Sequence, residues 1–136
     1  MIAPDSSVVV AALGPWHPAH EASRAALSDD DRQLIGHAAF EAASVLSRMP
    51  EPYRVAPTVV LEALGRDYPL PWLALDAAGQ RLCLSRAIDA GLRGGALYDA
   101  LIAATAREHG ATLLSADRRA SPAYEAMGGK VAYLER

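Results

Sequence analysis

The sequence predicts an α/β fold in which a central, mostly parallel sheet of five strands is flanked by helices on both faces, giving three layers. Short apolar stretches alternate with longer segments of helical periodicity along the whole chain. Strands that alternate with helices form right-handed crossovers and a parallel sheet. Glycine and proline separate the segments at short intervals, so the connections between them are expected to be short.

Five segments are predicted as strands because each is brief, apolar and bounded by turn-forming residues. The first ends at Pro4 and is followed directly by Asp5, and the last follows Gly128-Gly129. In chain order, the predicted strands are residues 1–4, 33–36, 72–75, 112–115 and 130–134.

Seven segments are predicted as helices from their apolar spacing and from the residues at their boundaries. Gly14-Pro15 stops the first helix, Pro57 suits the first position of the fourth, and Asp76 caps the fifth. A turn is expected at residues 29–31. In chain order, the predicted helices are residues 6–13, 17–27, 37–49, 57–66, 77–90, 97–109 and 117–127.

Length and composition limit the classes of function. A chain of 136 residues, 51% of them apolar, corresponds to one globular domain, residues 1–136. The lone Cys83 excludes an internal disulfide and a multi-cysteine zinc site, and it fits a reducing compartment. Because we find neither a basic leader nor an apolar run of ~20 residues, we expect a soluble, cytoplasmic protein that does not enter a membrane. The net charge of −3 argues against a general nucleic-acid coat protein but not against a nuclease, whose acids bind metal.

Four acids lie at positions typical of a metal-binding site. Asp5 directly follows the first predicted strand and Asp117 comes two residues after the fourth, and ligands collect at the carboxyl ends of parallel strands. Glu41 lies on an apolar face of the third helix, and Asp99 lies in the first turn of the sixth. A carboxylate on an apolar face is costly to desolvate without compensation. A hard divalent cation such as Mg²⁺ or Mn²⁺, which selects oxygen ligands, would compensate it.

Each acid taken alone also has a structural interpretation. Asp5 and Asp117 are suited to cap the helices that follow them. Asp99 is suited to match the dipole of its helix. Glu41 fits neither role, and four acids meeting at one edge of one sheet would require four separate coincidences. We therefore predict that the four carboxylates form one site.

The motifs resemble those of PIN domains, and in particular of VapC toxins. The opening strand that delivers Asp5 and then Ser6 is typical of the family, and Phe40-Glu41-Ala42 is similar to its second acidic element. The segment 98–117 is the most specific part, because an acid opens an alanine-rich helix and a short strand then delivers Ser and Asp. Residues 14–22 and 118–124 also resemble VapC segments, whereas Pro4 stands where the family usually has an aliphatic residue.

The resemblance implies a PIN-like three-layer fold and a metal-dependent ribonuclease that is the toxin of a type II toxin–antitoxin pair. It implies a homodimer and a small antitoxin partner of the VapB kind. Hydrolysis by a metal-activated water would leave 5′-phosphate and 3′-hydroxyl ends on the RNA. The residues implied as ligands of Mg²⁺ or Mn²⁺ are Asp5, Glu41, Asp99 and Asp117, with Ser115 and Ser7 as supporting hydroxyls.

Several interpretations stay open. Arg93, Arg118 and Arg119 are candidates for phosphate contacts and equally for solvated surface residues. Tyr98 and Trp16 are able to stack on bases, although core packing or a dimer interface is the simpler use. The four histidines lack metal-ligand spacing except for the loose pair His17 and His20, which is interpreted as packing or surface. Two alternative functions are a PIN nuclease of RNA processing and a catalytically silent PIN-fold protein-binding module. The complete set of four acids argues against the second alternative.

Overall fold

The structure is a computed structural model, and it describes residues 1–28 and 30–134. The turn predicted at 29–31 includes Asp29, which lies outside these residues. In the described ranges no helix has both the length and the apolar character needed to cross a membrane. The strands are β1 (Ile2–Pro4), β2 (Thr112–Ser115) and β3 (Val131–Tyr133). The helices are α1 (Ser6–Leu13), α2 (His20–Ala26), α3 (Gly36–Ser47), α4 (Pro57–Asp67), α5 (Ala77–Asp89), α6 (Gly95–Glu108) and α7 (Ser121–Met127), with a 3-10 turn at Arg118–Ala120.

The three strands form one parallel sheet in the order β1–β2–β3. Ile2 of β1 is opposite Thr112 of β2, and Leu113 of β2 is opposite Val131 of β3. Because all three strands run in the same direction, their carboxyl ends lie along one edge of the sheet. Residues that follow β1 and β2 are therefore brought close together although they are more than a hundred positions apart in the sequence.

The predicted strands at 33–36 and 72–75 are shorter in the structure than expected. Ile35 and Leu73 form a single parallel bridge between the two segments, and Arg32, one residue before the first segment, forms another with Ile2. The ladder stops there because α3 begins at Gly36, whose backbone N–H still donates to the carbonyl of Leu73 at 2.9 Å. These two segments continue the parallel pairing outward from β1, so the described sheet has three strands with two bridged segments beside it.

Helices cover both faces of this sheet. Leu113 and Leu114 are neighbours on β2 and pack on opposite sides. Leu113 packs with Ile102 of α6, and Leu114 packs with Val8 of α1. A further cluster joins α1, α3 and α4 through Val9, Leu46 and Leu64. The prediction of a three-layer α/β fold with a parallel sheet is confirmed.

Several helix boundaries differ from the sequence prediction by one to a few residues. The second helix begins at His20 and not at residue 17, because residues 17–19 form a turn in which the His20 N–H donates to the His17 carbonyl at 3.0 Å. The last predicted helix is divided into the 3-10 turn and α7. Helix α6 begins at Gly95, two residues early, after Gly94 in a positive-φ conformation. The last difference moves Asp99 from the first turn of its helix to the second.

Candidate active site

Asp5 is buried at the junction of β1 and α1. Its backbone N–H donates to the carbonyl of Leu114 at 2.8 Å, which extends the pairing of β1 with β2 by one step. Its Oδ1 accepts from the backbone N–H of Val8 at 3.1 Å, so the side chain caps α1. The capping interpretation of Asp5 is therefore correct. It leaves room for a second role, because an ionised carboxylate offers about four acceptor positions.

Two hydroxyl groups fix the orientation of the Asp5 carboxylate. Ser7 Oγ donates to Asp5 Oδ1 and accepts from the backbone N–H of Ala116 at 2.9 Å, which ties the end of β1 to the end of β2. The Tyr124 hydroxyl on α7 donates to Asp5 Oδ2 at 2.6 Å. Burial, followed by the charge of Asp5, raises the pKa of the Tyr124 phenol above its usual range. The phenol consequently stays protonated and remains a donor.

We expect Tyr124→Phe to lower the free energy of unfolding by about 1–3 kcal/mol, because it removes a hydrogen bond to a buried carboxylate. Urea-induced unfolding of the wild type and the variant at neutral pH measures this difference. Tyr53→Phe, at an exposed tyrosine, is the matched control and should change stability by less than about 0.5 kcal/mol. Equal stability of Tyr124→Phe and the wild type would show that this bond does not hold Asp5.

Asp117 lies just beyond β2, and Ser115 holds the turn that carries it. Ser115 is fully buried, and its Oγ accepts from the backbone N–H of Asp117 at 3.0 Å. Asp117 Oδ1 accepts from the backbone N–H of Arg119 at 3.0 Å and from Arg119 Nε at 3.1 Å. The capping interpretation of Asp117 is therefore also correct, for the 3-10 turn. The Arg119 side chain is 93% exposed, so its ion pair with Asp117 is a weak one.

Glu41 is a partly buried carboxylate, one oxygen of which makes no hydrogen bond in the part of the chain that the structure describes. Its side chain is 33% exposed, but its Oε1 is buried and lies 3.5 Å from Nε2 of His37, one turn earlier on α3. Within the described ranges neither atom makes a hydrogen bond. Burial lowers the pKa of His37, so the imidazole carries no positive charge at neutral pH. Burial, then the charges of Asp99 and Asp5, raise the pKa of Glu41 to about 6.

Asp99 lies in the second turn of α6. The field of a helix N-terminus falls off beyond the first turn, so dipole matching accounts for this acid less well than the sequence indicated. Burial, then the charges of Asp117 and Asp5, raise the pKa of Asp99, while Arg119 acts in the opposite direction. A carboxyl that is disfavoured in its charged form by two neighbouring acids is typical of a functional site.

Electrostatic repulsion connects the four acids. Asp5 raises the pKa of both Glu41 and Asp99, and Asp99 in turn raises that of Glu41. Asp117 raises the pKa of Asp99. Asp99 therefore interacts with each of the other three, one at the end of β1, one on α3 and one beyond β2. The raised pKa values indicate that the other three acids lie in the neighbourhood of Asp99.

The donor chemistry of this region fits a hard divalent cation. All four acids offer oxygen ligands, and a bound cation would relieve the repulsion and supply a partner to Glu41 Oε1. In residues 1–28 and 30–134, however, no three His, Cys, Asp or Glu side chains are grouped closely enough to hold a metal ion as they stand. Asp5 is engaged by Tyr124 and Asp117 by Arg119. The ligand types are therefore present, and the ligand geometry is not preformed.

We expect Glu41 to make the metal-free protein less stable as the pH rises. Its pKa is about 6 in the fold against an ordinary value of 4.5, so the fold favours the protonated carboxyl. This contribution to stability is fully present below pH 4.5 and is lost as the pH rises through about 6. In thermal melts in EDTA between about pH 4 and pH 8, the melting temperature of Glu41→Gln should rise relative to that of the wild type as the pH increases. The exposed Glu62→Gln is the control, and a constant difference between Glu41→Gln and the wild type would contradict the prediction.

Sequence reasoning missed two residues of this region. Tyr124 gave no signal beyond the general rule that a buried phenol needs a partner, because its partner Asp5 is 119 positions away. His37 has no metal-ligand spacing in the sequence, and its contact with Glu41 appears only in the folded chain. Among the other candidates, Trp16 packs on Tyr53 with ring centroids 5.4 Å apart, which supports the packing interpretation of this tryptophan.

Comparison with known proteins identifies the family. Residues 2–125 match the PIN domain model. Ribonuclease VapC40 of Mycobacterium tuberculosis is 46% identical over 125 residues, which cover 92% of each chain. Ribonuclease VapC27 of the same species is 37% identical over 127 residues, covering 93% of this chain and 92% of the relative. The chain therefore belongs to the PIN domain family and, within it, to the VapC ribonucleases, as its motifs indicated.

Solved structures agree on the fold. The crystal structure of FitAcB from Neisseria gonorrhoeae has a TM-score of 0.69 at 24% identity and covers 96% of both chains. The structure of FitAB bound to an IR36 DNA fragment has a TM-score of 0.70 at 23% identity, covering 100% of this chain and 99% of the other. At these identities the likeness establishes a common fold.

Proposed function

We propose that the chain is the endoribonuclease toxin of a VapBC-type pair and that it hydrolyses RNA phosphodiester bonds with Mg²⁺ or Mn²⁺. Its 46% identity to a protein named as a ribonuclease supports the activity. The observation that carries the metal dependence is Glu41, a carboxylate with a buried, unpartnered oxygen and a pKa raised to about 6 beside Asp99 and Asp5. A cluster of partly buried like charges costs stability. A catalytically silent binding module would not require this destabilising cluster of acids.

Each acid has a proposed role at the metal. Asp5, Glu41, Asp99 and Asp117 would be the ligands. When bound, the ion supplies a water of lowered pKa and neutralises charge that develops on the phosphate. Since this chemistry uses water as the nucleophile, we expect 5′-phosphate and 3′-hydroxyl products.

The supporting residues act through the acids. Ser7 and Tyr124 hold the Asp5 carboxylate in one orientation, through bonds to its two different oxygens. Ser115 keeps the turn that presents Asp117 in place through its bond to the Asp117 N–H. Ligands that are held by surrounding hydrogen bonds keep their geometry when the ion binds. Ser115, Ser7 and Tyr124 are therefore proposed as positioning residues.

The arginines near the acids differ in their availability to RNA. The guanidinium of Arg118 lies over the ring of Tyr133, 4.5 Å from its centroid. Arg119 is almost fully exposed and is held by a weak ion pair to Asp117. Arg93 is exposed in the loop between α5 and α6. We propose Arg119 and Arg93 as the first candidates for phosphate contacts, since little is lost when they exchange their present surroundings for a phosphate.

The proposed partners are a VapB-like antitoxin and a second copy of the chain, in the cytoplasm. The names of the relatives support the antitoxin. Exposed apolar side chains of α4, among them Val59 and Leu61, offer surface to a partner, because grouped exposed apolar residues mark interaction sites. An amphipathic helix or extended segment of the antitoxin would suit such a surface.

Expression with and without the neighbouring gene tests the proposal. We expect growth arrest when the chain is expressed alone, relief when the neighbouring gene is co-expressed, and new RNA ends that carry a 5′-phosphate. Mapping those ends across the transcriptome also identifies the RNA that is cut. Cleavage without growth arrest would favour the alternative of an RNA-processing nuclease. Binding of the neighbouring gene product without any RNA cleavage would favour the protein-binding module.

A further inference from the structure

Two exposed aromatic residues adjoin the candidate metal ligands in the sequence. Phe40 immediately precedes Glu41 on α3 and is 74% exposed. Tyr98 immediately precedes Asp99 on α6 and is 55% exposed. Grouped exposed apolar side chains mark interaction surfaces. Both helices thus present an aromatic ring beside the carboxylate that they contribute to the site.

The two rings line one cavity that reaches the candidate active site. Its volume is about 400 Å³, and Glu41 is part of its wall. The exposed Arg48 lines it as well. A cavity of this size lies within the range of small-ligand sites. It combines flat apolar surface with an acid of the metal site and with a cation.

Tyr98 is held in place before any ligand arrives. The His37 ring stacks on it, with centroids 5.0 Å apart and planes only 10° from parallel. This contact bridges α3 and α6. A ring that is already ordered loses little conformational freedom on binding, so contacts made to it are retained as affinity.

We propose, on the basis of the ribonuclease function above, that this cavity is a base-binding subsite for single-stranded RNA. An unpaired nucleotide next to the cleaved linkage places its base against Tyr98 and Phe40, and Arg48 contacts a backbone phosphate. Aromatic side chains accept any base, because every base has a flat π face. A base inside a duplex is already stacked on its neighbours, so the subsite selects loops and unpaired segments.

The composition of the cavity favours RNA over a protein partner. A second copy of the chain or an antitoxin segment would also cover Phe40. The wall, however, includes Glu41 and Arg48, and an apolar partner would desolvate these charges without a counterpart. A nucleotide offers a base to the two aromatic rings and a phosphate to Arg48, and the cation proposed at the metal site would neutralise Glu41.

The test is a double-mutant cycle between an aromatic residue and a base. The probe is a single-stranded oligoribonucleotide that the wild type cleaves at one mapped linkage, together with versions that are abasic on either side of it. We expect Tyr98→Ala and Phe40→Ala to raise KM about tenfold, within the range of measured base–aromatic stacking, and to change kcat by less than about twofold. On the oligonucleotide that lacks the stacked base, the same substitutions should change KM little further.

Three comparisons make this result specific. Tyr98→Phe keeps the ring and should restore the KM of the wild type, which a loss of folding or of a hydroxyl contact would not predict. Ile88→Ala removes an apolar side chain that is 59% exposed on α5, outside this cavity, and should leave KM unchanged. The abasic oligonucleotides test the subsite on the unaltered protein, so the result does not depend on how well a variant folds.

The outcomes separate this inference from the function on which it rests. A wild-type protein that cleaves no RNA refutes the ribonuclease itself. Cleavage with the same KM for intact and abasic oligonucleotides, or for wild type and both alanine variants, overturns the subsite alone. If the alanine variants keep their KM but weaken self-association in sedimentation, or binding of the antitoxin, the cavity belongs to a protein interface and the inference is wrong.

Discussion

Asp99→Asn should lower kcat for RNA cleavage by about 10³-fold or more, the scale on which loss of one group that stabilises transition-state charge lowers kcat. We expect a large effect on kcat because the charge of Asp99 interacts with those of Asp5, Asp117 and Glu41. Asparagine keeps the size of the side chain and removes its charge. Since the pKa of Asp99 is raised by burial and by neighbouring acids, neutralising it relieves repulsion. The metal-free variant should therefore melt at the same temperature as the wild type or higher.

Cleavage of a mapped RNA in Mn²⁺, with thermal melts in EDTA, measures both effects. Asp89→Asn is the matched control, because Asp89 is an exposed aspartate at the end of α5, and it should leave kcat unchanged. Binding of the antitoxin should survive in both variants. If Asp99 serves only the dipole of its helix, the change would cost about 0.3–1 kcal/mol of stability and leave kcat alone. A variant that cleaves at the wild-type rate would remove Asp99 from the site.

Removal of divalent metal should abolish RNA cleavage completely, and Mn²⁺ or Mg²⁺ should restore it. The four acids repel one another in the absence of an ion, and a bound divalent cation would supply positive charge to the phosphodiester transition state. An ion that binds only the folded state also stabilises it. The melting temperature of the wild type should therefore rise with the Mn²⁺ concentration.

The same titration separates a specific site from general ion effects. Asp99→Asn should show a much smaller rise in melting temperature than the wild type, whereas Asp89→Asn should follow the wild type. Undiminished cleavage in excess EDTA would refute the metal mechanism. A rise of equal size in all three proteins would place the bound ions elsewhere on the surface.

The amino-acid pattern by itself determined the fold class and the family. The apolar stretches and their glycine and proline boundaries predicted every helix to within a few residues, and three of the five predicted strands are strands in the structure. Local features suffice here because N-caps and stop residues act within a few positions of the boundary. Asp76 caps its helix through its side chain, as predicted, and Asp5 caps α1, in agreement with its structural interpretation. The motifs around Asp5, Glu41, Asp99 and Asp117 indicated the PIN domain, which the comparisons confirm.

The tertiary structure decided the partners of those acids and the lengths of the outer strands. The pairing of Tyr124 with Asp5, of Ser7 with Ala116 and of His37 with Tyr98 joins segments far apart in the sequence. No local pattern encodes such pairs, because they depend on which faces of the helices meet after the sheet has formed. The segments at 33–36 and 72–75 are reduced to a single bridge because helix α3 begins before a second pair is made. Sequence could name the carboxylates as candidates. The repulsion that raises the pKa of Glu41, and its buried oxygen that makes no hydrogen bond in the described residues, arise only in the folded chain, because both depend on burial.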